Sequence, residues 1–142
     1  MKVWAYIHPD LKTLCCAVLR EVVPPNVEYV EFEVESPDDV ILDNGQIRVK
    51  TEAEKLAEEK ERKLAELKKY VATLLKPTDY VVVRIAEAQV RGDVVKVERL
   101  KRKYAKQLQE REVIRQWSKQ MKQAIRKAKT LEELRKIETK FN

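Results

Sequence analysis

From Lys50 to Asn142 the chain holds one proline, Pro77, and one glycine, Gly92. These two residue types are the strongest local breakers of regular structure, so the stretch is confined to a few long helices. Most of its other residues are good helix formers, and many are charged. P-loops, dinucleotide-binding turns and nucleophile elbows are built from glycine-rich turns, and this stretch has no material for them. The constraint points away from catalysis and toward helices that must bury apolar faces.

Periodicity places those helices. Thr51-Glu52-Ala53-Glu54 is a capping box, in which the hydroxyl and the carboxylate each satisfy an orphan backbone N–H, and it predicts a helix over about 52–75. Within it Leu64, Leu67, Val71 and Leu74 are spaced 3, 4, 3, a coiled-coil seam. The preceding seam positions, Ala53, Ala57 and Lys60, are weak. Residues 80–85 (YVVVRI) have strand propensity, yet Ala86, Glu87 and Ala88 follow without a turn, so a helix over 79–89 is expected, capped by Thr78 or Asp79. After Gly92, Asp93 is the expected N-cap of one helix over 94–128, roughly 52 Å long at ~1.5 Å per residue. Its apolar positions include Val97, Leu100, Tyr104, Leu108, Ile114, Trp117, Met121, Ile125 and Ala128. Thr130-Leu131-Glu132-Glu133 is a second capping box and opens a last helix over 131–141, with Leu131, Leu134, Ile137 and Phe141 on one side.

Long amphipathic helices draw most of their stability from packing, so these must fold back as a helical hairpin, pair across subunits as a coiled coil, or both. The candidate packing or interface residues are Leu64, Leu67, Val71, Leu74, Tyr104, Ile114, Trp117, Met121 and Ile125. Trp117 is the best single anchor, because a large aromatic dominates local burial.

The first 50 residues read differently. Residues 2–8 (KVWAYIH) form a strand that Pro9 stops. Leu11, Leu14, Cys15, Val18, Leu19 and Val22 then recur at helical spacing, with Asp10 as N-cap and Pro24-Pro25 as terminator. Residues 27–35 alternate, with Val30, Phe32 and Val34 on one face and Glu31, Glu33 and Glu35 on the other. Asp43-Asn44-Gly45 between two short apolar runs signals a hairpin, because Asn-Gly supplies the positive φ angles of a tight turn. The fold class is therefore α+β: a small β-α-β-β-β module over 1–50, then a helical region over 51–142. So small a module buries little surface by itself.

The formal charge of +6 conceals a split. Residues 1–90 carry 13 Lys/Arg against 17 Asp/Glu, and residues 91–142 carry 17 against 7. Arg115, Lys119, Lys122, Arg126 and Lys129 are spaced 4, 3, 4, 3 along one helix face. Such a stripe can neutralise phosphates or meet an acidic partner. It can equally remain solvated or pair with Glu54, Glu58 and Glu61 of the chain itself, and it lacks the interleaved aromatics that stack on single strands.

No enzymatic site, cofactor or metal is expected. The chain has one histidine, His8, and only Cys15 and Cys16 as thiols; these lack metal-site spacing, and adjacent cysteines do not form a relaxed bridge. They read as reduced thiols of a cytosolic protein. The apolar start is too short for a leader, and no run approaches the ~20 apolar residues of a membrane span.

The stretch from Leu64 to Phe141 resembles small helical proteins of phage and prophage tail gene regions. The residues carrying the resemblance are Leu74-Leu75-Lys76-Pro77-Thr78-Asp79-Tyr80, then Arg84-Ile85-Ala86-Glu87, then Tyr104 with Arg111 and Arg115, then Thr130 to Leu134. Pro77 before the Thr-Asp pair, and Gly92-Asp93 in the connection, depart from the pattern. The resemblance implies a minor structural component of tails or a tail-fibre assembly factor, with protein partners (itself or other tail proteins). It places the chain in the host cytoplasm or the virion tail and carries no catalytic residues. Two other classes stay open: a nucleic-acid-binding protein using the basic stripe, and a cytosolic coiled-coil adaptor.

Overall fold

A computed structural model describes residues 1–141. The chain has an α+β fold in two compact units, Met1–Lys55 and Leu56–Asn142.

The first unit is all β apart from two short 3-10 turns and the first residues of a helix. Strands β1 (Lys2–Ile7), β2 (Leu14–Ala17) and β3 (Tyr29–Glu33) form an antiparallel sheet in the order β2-β1-β3. Strands β4 (Val40–Asp43) and β5 (Gln46–Val49) form a separate hairpin. Asn44 (φ 49°) and Gly45 (φ 79°) supply the two positive φ angles its turn requires. The sheet and the hairpin close on one core of Val3, Ala5, Val34 and Val40, with Leu14, Cys16, Phe32, Ile47 and Val49 packed against it.

The helix expected over 11–22 does not form. Residues 8–13 instead close a β-hairpin, with Lys12 in the left-handed region (φ 58°) and the His8 N–H donating to the Thr13 carbonyl at 2.8 Å. Asp10 caps nothing there; its N–H and that of Leu11 donate to His8 Nδ1 at 3.2 and 3.1 Å. The module is thus five strands, not β-α-β-β-β. Short apolar runs fit both periodicities, and Cys, Thr and Val are indifferent helix formers. Pairing with β1 decides the matter: Cys16 and Leu14 reach the core from β2, whereas Leu11, Val18, Leu19 and Val22 stay exposed.

Helix α1 (Glu52–Leu75) starts in the first unit and continues into the second. The capping box forms as its sequence dictates: Thr51 Oγ1 accepts from the Glu54 N–H at 3.2 Å, and Glu54 Oε1 accepts from the Thr51 N–H at 3.1 Å. Arg48 on β5 then grips Glu54 with both amino groups (2.7 and 3.2 Å) and reaches Asp43 through Nε (3.1 Å).

The second unit is a long helical hairpin. After α1 a 3-10 turn (Lys76–Thr78) leads into α2 (Asp79–Val90), so residues 80–85 are helical. Neither Thr78 nor Asp79 caps α2; the Thr78 hydroxyl donates back to the Leu75 carbonyl at 3.1 Å. At the hairpin tip the Gly92 N–H donates to the Gln89 carbonyl and the Asp93 N–H to the Ala88 carbonyl, both at 3.0 Å, a Schellman ending that uses Gly92 at φ 70°. Asp93 caps α3 (Val94–Lys103) by accepting from the Lys96 N–H at 3.0 Å.

The single helix expected over 94–128 is two, α3 and α4 (Ala105–Lys127), broken at Tyr104 (φ −107°, ψ 23°). The break lets that side chain fill the space between α2 and α3. The last helix, α5 (Leu131–Lys136), ends five residues short of the expected 141. Ile137 turns extended, and the Phe141 ring meets Trp117 edge to face at 5.3 Å. β-Branched Ile137 and Thr139 have little propensity to resist that pull.

Candidate functional site

Two cores hold the hairpin, and the sequence-predicted seam is divided between them. Leu67 (0% exposed), Ile125, Ala128 and Leu134 form one, with Leu56, Leu64, Val71, Trp117, Met121 and Ile137 against it. Trp117 meets Tyr70 edge to face at 5.9 Å. Tyr104 belongs to the other core, with Val81, Ile85, Ala88, Val97 and Leu100. Ile114 is buried and Leu74 half-buried. Leu64, Leu67, Val71, Tyr104, Trp117, Met121 and Ile125 therefore pack within the chain.

Between the cores lies a polar joint. Arg111, on α4, is one of two buried polar residues among those described, the other being Ser118. Its Nη1 donates to the Leu75 carbonyl, Thr78 Oγ1 and Asp79 Oδ1, each at 2.9 Å. It thereby joins the Thr78 hydroxyl in satisfying the Leu75 carbonyl where α1 gives way to the 3-10 turn. One step along, Arg84 Nη1 donates to the Tyr104 hydroxyl at 2.8 Å, and the Tyr80 and Tyr104 rings meet edge to face at 5.7 Å. The Arg84 guanidinium also lies over the Tyr80 ring at 5.6 Å. Thr78, Asp79, Tyr80, Arg84, Tyr104 and Arg111 thus gather in one place and fasten α1–α2 to α3–α4. Arg111 was legible only as a motif residue. Its burial had a signal in the apolar series, which steps from Leu108 to Ile114 and leaves position 111 on the inner face.

Two lysines act as caps. Lys60 Nζ donates to the Arg126 carbonyl at 2.9 Å and Lys63 Nζ to the Leu134 carbonyl at 2.5 Å. Lys60, a weak seam position, serves a carbonyl in the last turn of α4.

The basic stripe is present and outward. Arg115, Lys119, Arg126 and Lys129 are exposed and Lys122 is half-buried. None of the five forms a salt bridge among the described residues, and Glu54 is held by Arg48. The expected thiols, Cys15 and Cys16, are free and half-buried on β2. Burial, and secondarily the neighbouring Cys15, pushes the Cys16 thiol above its ordinary range, which works against thiolate formation. Among the described residues no group of His, Cys, Asp and Glu is arranged to hold a metal ion, and His8 Nδ1 already accepts two backbone N–H groups. Among the described residues no helix is long and apolar enough to cross a membrane.

Sequence reasoning missed the outer face of α2. Val82, Val83 and Val90 are exposed there, and Val94 and Val95 are exposed just past the tip. The signal was the strand-like run of apolar residues, too apolar for a helix with one buried side. The chain matches no protein-family model, no curated protein and no solved structure.

Proposed function

We propose that this chain is a non-enzymatic phage or prophage tail-associated protein, a minor structural component or a tail-fibre assembly factor, that works by helix docking. One observation carries the reading: of the residues that resemble the tail-region pattern, Thr78, Asp79, Tyr80, Arg84, Tyr104 and Arg111 gather at one joint. In such a protein the motif is a fastener that sets a long helical hairpin, and a rigid hairpin is a means of presenting a surface to a partner. The exposed valines of α2 give that hairpin a docking face. Deleting the gene from the phage or prophage that carries it tests the assignment. Tails that lack fibres or fail to mature in electron micrographs are the expected outcome. Intact, infectious particles made without the protein would sink it.

A second reading rests on the basic stripe, whose five cations remain without carboxylate partners among the described residues. Nucleic acid or an acidic protein surface fits that face. Retention of duplex DNA, steeply weakened by salt and lost in the triple variant Lys119→Glu, Lys122→Glu, Arg126→Glu, would support it. Absent binding, or binding unchanged by the three substitutions, removes it.

A further inference from the structure

Helix α2 is apolar on both sides, yet the hairpin buries one. Val81, Ile85 and Ala88 lie in the core with α3. On the opposite side Val83, Ala86 and Val90 recur three and four residues apart; Val83 is 54% and Val90 88% exposed. A helix that is apolar all round is ordinarily a buried helix. The packing of the second unit leaves this face uncovered.

The pattern on that face is self-complementary. At 100° per residue, Arg84, Glu87 and Arg91 fall on one flank of the Val83–Ala86–Val90 stripe. In an antiparallel pair related by a two-fold axis, each flank meets the same flank of the other copy, so a flank satisfies itself only if it carries both signs. With the axis at Ala86, Val90 lies level with Val82 and beside Val83 of the second copy. Glu87 then comes within one residue of Arg84 of the second copy, ~1.5 Å along the helix. Both Glu87–Arg84 pairs form at once. Tyr104 occupies only Nη1 of Arg84. Ala86, the smallest side chain of the stripe, sits at the crossing, where side-chain size sets how closely two helices approach.

We propose that α2 is a homodimerisation helix: a second copy of this chain docks antiparallel on the Val83–Ala86–Val90 face about a two-fold axis at Ala86. One helix face per copy is smaller than a standard interface, so the dimer is a reversible one, with a Kd on the order of micromolar. The dimer is a property of the purified chain and does not depend on tail association.

Sedimentation velocity on the full chain, from roughly 1 to several hundred µM to bracket such a Kd, is the test. The expected result is a monomer–dimer equilibrium of the 16.7 kDa chain. Val90→Glu and Val83→Glu each weaken it at least about tenfold, with helical circular dichroism unchanged because both positions are exposed. An Ala86→Cys variant in which Cys15 and Cys16 are replaced by serine yields a single disulfide-linked dimer on oxidation. If the serine replacements impair folding, the mass measurements on the native-cysteine chain decide alone. A monomer at every concentration, a species larger than a dimer, or a dimer indifferent to both glutamate substitutions overturns the proposal.

Discussion

Arg111 Nη1 lies 2.9 Å from Asp79 Oδ1, and the two partners differ sharply in exposure: the arginine side chain is 8% exposed and the carboxylate 58%. The pair is therefore an anchored arginine whose carboxylate partner stands largely in water. Arg111→Ala removes one charged donor from the Leu75 carbonyl, Thr78 Oγ1 and Asp79 Oδ1 at once, although the Thr78 hydroxyl still donates to the Leu75 carbonyl, and is expected to cost about 2–3 kcal/mol, the range for hydrogen bonds to a charged group. Asp79→Asn removes only a solvated charge and costs under about 1 kcal/mol. Because all three acceptors converge on one nitrogen, the three-donor ammonium of Arg111→Lys recovers part of the loss, whereas Arg111→Met recovers none. Urea titrations followed at 222 nm rank the four variants.

The two seam leucines separate by burial. Leu67 is fully buried among Ile125, Ala128 and Leu134, so Leu67→Ala leaves a cavity and costs ~2–5 kcal/mol. Leu74 is half-buried, and Leu74→Ala costs about 1 kcal/mol. Equal losses in the helical unfolding transition would mean that the seam is not packed as described.

What could be read beforehand, and what could not, follows from how local each determinant is. The caps at Thr51 and Asp93 and the Asn44-Gly45 turn involve residues at most three apart, and each formed as its chemistry required. The segment 11–22 was misread because its strand exists only through β1, a partner that periodicity does not see. Tyr104 looked like one more apolar position in a long helix. Its backbone leaves helical geometry where Tyr80 and Arg84 of α2 meet its ring and hydroxyl, contacts made across 20 or more residues of sequence. The same blindness hid the capping roles of Lys60 and Lys63, whose acceptors are 66 and 71 residues away. The helical character of 80–85 was legible from the absence of a turn after it, but the uncovered outer face was not, since periodicity cannot say how many neighbours a helix has.

The Arg48–Glu54 pair predicts a particular dependence on pH. Hydrogen bonds from Arg48, and then from the Thr51 backbone, hold the Glu54 carboxyl down from 4.5 to about 2. A carboxyl with a depressed pKa in the folded chain stabilises the ionised folded form. Its contribution is complete above pH 4.5 and is lost as pH falls through about 2. The stability gap between the wild type and Glu54→Gln is therefore constant from neutral pH down to about 4.5 and closes below it. Carbon-detected NMR titration of the Glu54 carboxyl gives the midpoint directly, and a midpoint in the ordinary carboxylate range would show that the bidentate contact is not formed.

At the hairpin tip, conformation and sterics can be told apart. A Cβ at Gly92 would meet nothing within 4 Å, yet the residue sits at φ +70°. Gly92→Ala therefore pays for the left-handed backbone alone, about 1–2 kcal/mol. Gly92→Asn costs less, because asparagine tolerates that region. Asp93→Ala, which frees the Lys96 N–H, costs about 1 kcal/mol by loss of the cap. The two residues are adjacent and the Asp93 N–H belongs to the same ending as Gly92, so the double variant Gly92→Ala, Asp93→Ala is expected to lose more than Gly92→Ala alone but less than the sum of the two. A double variant no worse than Gly92→Ala alone would mean that α3 is already frayed at its start and that Asp93 caps it only weakly. Amide hydrogen exchange at Lys96 and Val97 reads that fraying residue by residue.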